Sequence, residues 1–170
     1  MNNEDLEILY KKYNRELYIY ALSLCKDHHL SQDLVSETFF KALLSLDIGE
    51  GYIKYWLFRV CKNLYLDYLR KNSRLEDMKT NANKLSIEDR TLDKIILDED
   101  RKRVYYEVLN LQASYKEIII LFYYCNLSLK DIASITGISQ GAARTLLFRV
   151  RKKLTADCKI KCNKLKKIEP

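Results

Sequence analysis

LSLKDIASITGISQGAARTLLFRVRKKL, residues 127–154, spells two short helices joined by a tight turn, the second of them basic. Ser128-Leu129-Lys130-Asp131 is a capping-box pattern that opens the first helix, with Ile132, Ala133 and Ile135 as its apolar residues. Gly137 ends it, because a residue tolerant of positive φ closes a helix at little cost, and Ser139 is placed to cap the next one. Ala143, Leu147, Val150 and Leu154 then recur at i, i+4, i+7 and i+11, which makes one buried stripe. Arg144, Thr145, Phe148, Arg149 and Lys152 lie off that stripe and are free to enter a major groove. Two short helices around a glycine occur in many all-α domains, and a basic helix face is often only solvated surface. Small Ala133 at the crossing, Gly137 four residues later, and the run Arg149-Val150-Arg151-Lys152-Lys153 favour a helix-turn-helix that binds DNA.

Charge placement agrees with a nucleic-acid partner. The chain of 170 residues carries a formal net charge of +7. Residues 144–170 hold ten Lys or Arg against Asp157 and Glu169, a local charge of +8, which leaves the rest of the chain at −1. A positive field concentrated on one element suits phosphate binding, although an anionic membrane surface would attract the same tail. Four glycines and a single terminal proline leave few breakers and favour an all-α fold of one compact domain or two small ones. The longest unbroken apolar run, residues 118–125, is too short to span a bilayer. The N-terminus MNNEDLEILY lacks the basic-then-apolar order of a secretory signal, so no membrane insertion and a cytoplasmic location are expected.

Of five cysteines, Cys25, Cys61 and Cys125 fall in apolar helical patterns, where reduced, buried thiols are the default. Cys158 and Cys162 stand one helical turn apart in the tail, open to oxidation or metal binding but without a second ligand pair nearby, so no metal or cofactor is expected. Cys25 with His28 and His29 is explained by a polar turn, KDHHLSQD.

Leu6, Leu9, Tyr13, Leu17, Tyr20 and Leu24 trace a first helix that this turn stops. Ser31 is the expected cap of a second helix, with Val35, Thr38, Phe39, Ala42 and Leu46 facing inward. A third helix is expected from about Tyr52 to Asn72, buried through Ile53, Trp56, Leu57, Val60 and Leu64, to complete a small bundle. The expected domains are residues 1–73, a polar linker 74–91, a helical domain 92–155 and a basic tail 156–170. In the second domain one helix runs through Leu92, Ile95, Ile96, Val104, Val108 and Leu111, and Ser114-Tyr115-Lys116-Glu117 reads as the capping box of the next.

Two further faces carry information. Asp33, Glu37, Phe40 and Leu44 share the outward stripe of the second helix, a protein-binding surface unless another part of the chain covers it. Away from the expected core of the third helix lie Tyr55, Phe58, Arg59, Lys62, Tyr65, Leu66 and Leu69, with Asn63 and Arg70 at the edge. Basic groups interleaved with aromatics bind single-stranded nucleic acid, with cations on phosphates and rings stacked on bases, though aromatics on a helix are often core.

Taken together, SQDLVSETFFKAL, YWLFRVCKNLYLDYLR and the 127–154 stretch resemble, in order and spacing, the sigma factors of bacterial RNA polymerase, specifically the extracytoplasmic-function (ECF) group. The resemblance covers about residues 5–155 and implies a non-enzymatic subunit that joins core RNA polymerase, recognises and melts promoter DNA, and is commonly held by an anti-sigma factor. It implies that Asp33, Leu34, Glu37 and Phe40 grip the polymerase clamp helices. It further implies that the loop 46–52 holds a base flipped from the minus-ten element, with Tyr55, Trp56, Arg59, Lys62 and Asn63 supporting strand separation. Arg144, Thr145, Phe148 and Arg149 match positions that read the minus-thirty-five element, while Arg151, Lys152 and Lys153 are expected on phosphates. Ala143 and Leu146 depart from the family pattern, the latter standing where a basic residue is common. The alternative is a stand-alone helix-turn-helix regulator whose first domain senses a ligand or dimerises. An enzyme is not expected, since the chain has no HExxH, no Gly-rich phosphate loop and no nucleophile-base set.

Overall fold

The computed structural model describes residues 3–45, 51–73 and 90–157, and every described element is helical. The chain divides into two compact units, Met1–Leu85 and Ser86–Pro170, so the all-α expectation of two helical units holds. Leu46, the loop residues 46–50, most of the expected linker, and the tail with Cys158 and Cys162 lie outside the described residues.

The first unit packs α1 (Asn3–Cys25), α2 (His28–Leu44) and α3 (Ile53–Ser73) against one another. Only Lys26 and Asp27 separate α1 from α2, with Lys26 in the left-handed region at φ 54°. Asp27, not Ser31, caps α2: its carboxylate accepts from Leu30 N at 2.8 Å. Ser31 is buried inside the first turn, and its hydroxyl donates to the Asp27 carbonyl at 2.5 Å. Asp caps as well as Ser and comes first along the chain, so both histidines belong to the helix rather than to a turn.

The core joins Leu17 and Tyr20 of α1, Val35, Thr38, Phe39 and Ala42 of α2, and Leu57, Phe58 and Cys61 of α3. Tyr20 and Phe58 meet with ring centroids 5.5 Å apart, and Tyr10 meets Phe39 at 4.9 Å. Each such large apolar side chain contributes about 1.5–3 kcal/mol when fully buried. Buried Thr38 satisfies its hydroxyl on the Leu34 carbonyl at 2.7 Å. The buried residues of α3 are Leu57, Phe58 and Cys61, of which Leu57 is as expected and Phe58 and Cys61 lie one position on from expected Leu57 and Val60; Ile53, Trp56, Val60 and Leu64 are only half-buried, as is Lys54. A one-residue shift is a rotation of about 100°. Lys54 obscures that side of the helix in sequence, since its charge reads as surface while its half-buried ammonium pairs with Glu16 at 2.7 Å and lies 5.7 Å from the Tyr13 ring centroid.

The second unit holds α4 (Arg90–Ile95), α5 (Glu99–Leu109), α6 (Ala113–Ile119), α7 (Leu129–Thr136) and α8 (Gln140–Asp157). What reads as one helix through Leu92 and Leu111 is two, because Asp98 adopts an extended backbone and caps α5 by accepting from Arg101 N at 2.9 Å. Glu99 and Asp100 then sit on the favourable end of its dipole. The Ser114 capping box does not form: α6 opens two residues earlier, after Gln112, whose carbonyl accepts from Tyr115 N and Lys116 N.

α6 runs on into a π-helical turn, Ile120–Tyr124, closed by Cys125 N on the Ile120 carbonyl at 3.1 Å. Two arginines brace this turn. Arg101 donates to the Tyr123 carbonyl at 2.9 Å, lies 5.1 Å from the Tyr124 ring centroid, and receives the Tyr124 hydroxyl on its own carbonyl at 2.8 Å. Arg151 Nε donates to the Tyr123 hydroxyl and stacks on the rings of Phe122 and Tyr123. π-turns of this kind interrupt helices where a local geometry is needed.

Candidate nucleic-acid interface and protein-binding face

α7 and α8 form the helix-turn-helix that residues 127–154 predict. Ser128 caps α7, accepting from Asp131 N at 3.1 Å and donating to its carboxylate at 2.6 Å. Gly137 closes the helix at φ 75°, and its N–H reaches the Ala133 carbonyl at 2.9 Å. Ser139 accepts from Ala142 N at 3.1 Å and starts α8. Ala143, Leu147, Val150 and Leu154 are all buried, with α8 packed on α6 and α7.

The opposite side of α8 presents Arg144, Thr145, Phe148, Arg149, Lys152 and Lys153 to solvent, Phe148 being 69% exposed. A single exposed apolar side chain is ordinary on a protein surface, so what distinguishes Phe148 is its place among the cations of this face. Beside arginines it suits base edges: Arg forks onto guanine, and an apolar ring touches a thymine methyl. Thr145, also exposed, donates its hydroxyl to the Gly141 carbonyl at 3.0 Å. Arg151 does not join this face. It is half-buried and engaged with Tyr123 and Phe122, because i+4 from Leu147 and i−3 from Leu154 place it on the packed side.

On α3 the five residues expected near a melted strand fall unevenly. Arg59 is exposed and donates to the Tyr55 hydroxyl at 2.6 Å, with its guanidinium 5.9 Å from the Tyr55 ring centroid. Asn63 is exposed, while Tyr55, Trp56 and Lys62 are half-buried. Phe58, expected outside, is fully buried against Tyr20 and cannot stack on a base. Tyr65 is half-buried, and burial raises its phenol pKa. Of the loop 46–52 the described residues are Gly51 and Tyr52, and Tyr52 is 72% exposed.

On α2, Asp33 and Glu37 are exposed beside Phe40 and Leu44, which are 56% and 63% exposed. Leu34 is not on this face. It is 5% exposed and faces inward with Val35 and Thr38, as i+3 and i+4 from buried Ser31 require. Glu37 faces Lys41 at 3.8 Å in solvent, a pair too exposed to fix either side chain.

Among the described residues, no group of His, Cys, Asp and Glu is placed to hold a metal ion. Burial pushes the Cys61 thiol up to about 12 and raises that of Cys25, whose Sγ lies 3.1 Å from Ser31 Oγ. Thiols held protonated in this way are poor nucleophiles. No helix of the described residues is long and apolar enough to cross a membrane.

Comparison with known proteins follows the same division. Residues 9–75 match the family described as Sigma-70 region 2, and residues 101–154 match Sigma-70, region 4. The chain is 29% identical over 161 residues to the ECF RNA polymerase sigma factor SigM of Bacillus subtilis, covering 89% of this chain and 93% of that one. It is 26% identical over 163 residues to the RNA polymerase sigma factor YlaC of the same organism, covering 90% and 91%. Its fold is similar to that of the sigma factor RpoE solved with the anti-sigma factor NepR from Bartonella quintana, with TM-score 0.69, 24% identity, and 93% and 99% of the two chains covered. It is also similar to CnrH, solved with the cytosolic domain of CnrY, with TM-score 0.63, 22% identity, and 94% and 91% covered.

Proposed function

The chain belongs to the extracytoplasmic-function sigma factors of the sigma-70 family, and on that premise we propose how its residues divide the work of promoter recognition and initiation. As a sigma factor it joins core RNA polymerase and directs it to promoters. The observation that carries the residue-level reading is the split of α8, with four buried apolar residues on one side and Arg144, Thr145, Phe148 and Arg149 exposed on the other. That helix reads the minus-thirty-five element. Each well-formed arginine fork on a guanine discriminates by about 1–3 kcal/mol. Lys152 and Lys153 hold phosphates and set the helix in the groove without reading sequence.

In the first unit, Tyr55, Trp56, Arg59, Lys62 and Asn63 support the melted minus-ten strand. Unstacking a base costs a few kcal/mol, and stacking on an aromatic ring offsets about 1–3 kcal/mol of it per base. The Arg59–Tyr55 hydrogen bond supports this role, since it holds a cation and a ring together before DNA arrives. Asp33, Glu37, Phe40 and Leu44 form the face for core polymerase. Exposed Phe40 and Leu44 have the chemistry of a docking patch, apolar groups rimmed by acids. An anti-sigma protein is a further partner, supported by the similar sigma factor RpoE solved with the anti-sigma factor NepR.

Run-off transcription tests the assignment, using core RNA polymerase with and without this chain on the promoter of its own operon. The expected result is a transcript that depends on the chain and is lost with Arg149→Ala and with Glu37→Lys. Absence of any transcript, together with tight binding of that DNA by the chain alone, would replace this reading with a stand-alone regulator.

A further inference from the structure

Arg151 lies in a basic run whose neighbours face solvent, yet its own side chain turns inward. Its Nε donates to the Tyr123 hydroxyl, and its guanidinium sits 5.5 and 5.3 Å from the ring centroids of Phe122 and Tyr123. The same tyrosine holds a second arginine from the other end, since the Tyr123 carbonyl accepts from Arg101 at 2.9 Å. Tyr123 is buried and belongs to the π-helical turn, which presents its carbonyl to α5 and its ring to α8. Three elements separated by 22 and 28 residues in sequence therefore meet on one side chain and its peptide group.

We propose that Tyr123 is a positioning residue that fixes the rotation of α8 about its own axis, and that Arg151 serves this bracket rather than a DNA phosphate. The proposal rests on α8 being the helix that reads the minus-thirty-five element. The apolar stripe of α8, Ala143, Leu147, Val150 and Leu154, holds the helix through aliphatic contacts that carry no directional bond. A hydrogen bond to a planar guanidinium has a direction. Arg151 is one residue before Lys152 and two after Arg149, so a rotation that loosened it would swing the reading residues by the same angle. The π-turn sets where the Tyr123 ring meets Arg151, since an i→i+5 turn is wider than a regular α-helical one.

The test uses holoenzyme made from the full chain and core polymerase. Two quantities are read: the ratio of transcription from the native promoter to that from single-base variants of its minus-thirty-five element, and the slope of promoter affinity against salt. Tyr123→Phe removes one hydroxyl and keeps the ring, and Arg151→Ala removes the other partner. Each is expected to lower the ratio roughly three- to tenfold, the scale of one hydrogen bond. The double variant should fall no further than Arg151→Ala alone, because both act through one contact. Arg151→Ala should keep the native salt slope, whereas Lys152→Ala should lower it by roughly 0.9, one phosphate contact. A slope lowered by Arg151→Ala as much as by Lys152→Ala overturns the proposal. So does Tyr123→Phe leaving the ratio unchanged, whether all templates keep full output or fall in parallel. Arg149→Ala separates the two levels: if it abolishes or weakens transcription from the native promoter while Tyr123→Phe leaves the ratio unchanged, the bracket alone is wrong, and if it too has no effect, α8 is not the reading helix.

Discussion

Replacing Gly137 with alanine isolates the backbone requirement of the helix-turn-helix. Gly137 sits at φ 75° and ψ 25°, and both its N–H and that of Ile138 converge on the Ala133 carbonyl at 2.9 and 3.1 Å. An added Cβ would meet no heavy atom within 4 Å, so steric overlap with neighbours contributes nothing. What remains is the cost of holding an L-residue in the left-handed region, about 1–2 kcal/mol. Alanine also lowers the entropy of the unfolded chain, which offsets about 0.4–1 kcal/mol. The net loss is about 1 kcal/mol, or roughly 4–8 °C in the melting temperature of a unit this small. Thermal unfolding followed by far-UV circular dichroism reads it, with fluorescence of Trp56, the single tryptophan, reporting the first unit. Gly137→Asn provides the internal standard, since asparagine enters the left-handed region more readily than alanine, and should melt between wild type and Gly137→Ala. Equal melting of the alanine variant and wild type, or an asparagine variant less stable than alanine, would refute the reasoning.

Three other outcomes follow from named contacts. Ser128→Ala removes the cap of α7 and should cost about 1 kcal/mol, read as a lower urea midpoint with unchanged slope. Phe40→Ala should weaken competition for core polymerase about tenfold or more while leaving the melting temperature unchanged; Leu34→Ala, in the core, should instead cost about 2–5 kcal/mol of stability. The Cys61 thiol titrates near 9.0 when unfolded and at about 12 when folded, so its contribution is intact below pH 9 and is lost as pH rises toward 12. Stability should fall by up to about 1.4 kcal/mol per pH unit in that window from this group, and a pH series of urea titrations should show a shallower fall for Cys61→Ala.

The second unit was more legible in sequence than the first because its signals are local. Ser128, Gly137 and Ser139 act through bonds to residues three or four positions away, so their types announce their roles. The stripe of α8 is equally plain, since none of its four members is charged. The buried side of α3 is less plain because Lys54, half-buried on that side, is charged, and its partners Glu16 and Tyr13 sit on another helix. Phe58 and Leu34 changed sides for related reasons: Phe58 lies one position on from expected Leu57, and Leu34 stands beside Asp33 in sequence but turns inward with Val35 and Thr38. The break at Asp98 was missed for the opposite reason. Apolar residues on both sides of it keep helical spacing, and only the cap at Arg101 N reveals the stop.

The residue roles least visible in sequence are those in which a functional-looking side chain serves structure. Arg151 belongs to a run of four cations within five residues, and the family resemblance places three of them, Arg151, Lys152 and Lys153, on phosphate. Geometry removes one of them, because the fourth position after Leu147 returns to the packed side of the helix, where Tyr123 supplies an acceptor and a ring. Nothing local to Arg151 signals this: its partner is 28 residues away and is brought there by a π-turn that no spacing rule anticipates. The consequence reaches function. If α8 is the recognition helix and Arg151 serves its orientation, as proposed, it makes fewer phosphate contacts than its charge suggests, and its salt dependence is expected to count Lys152 and Lys153 but not Arg151.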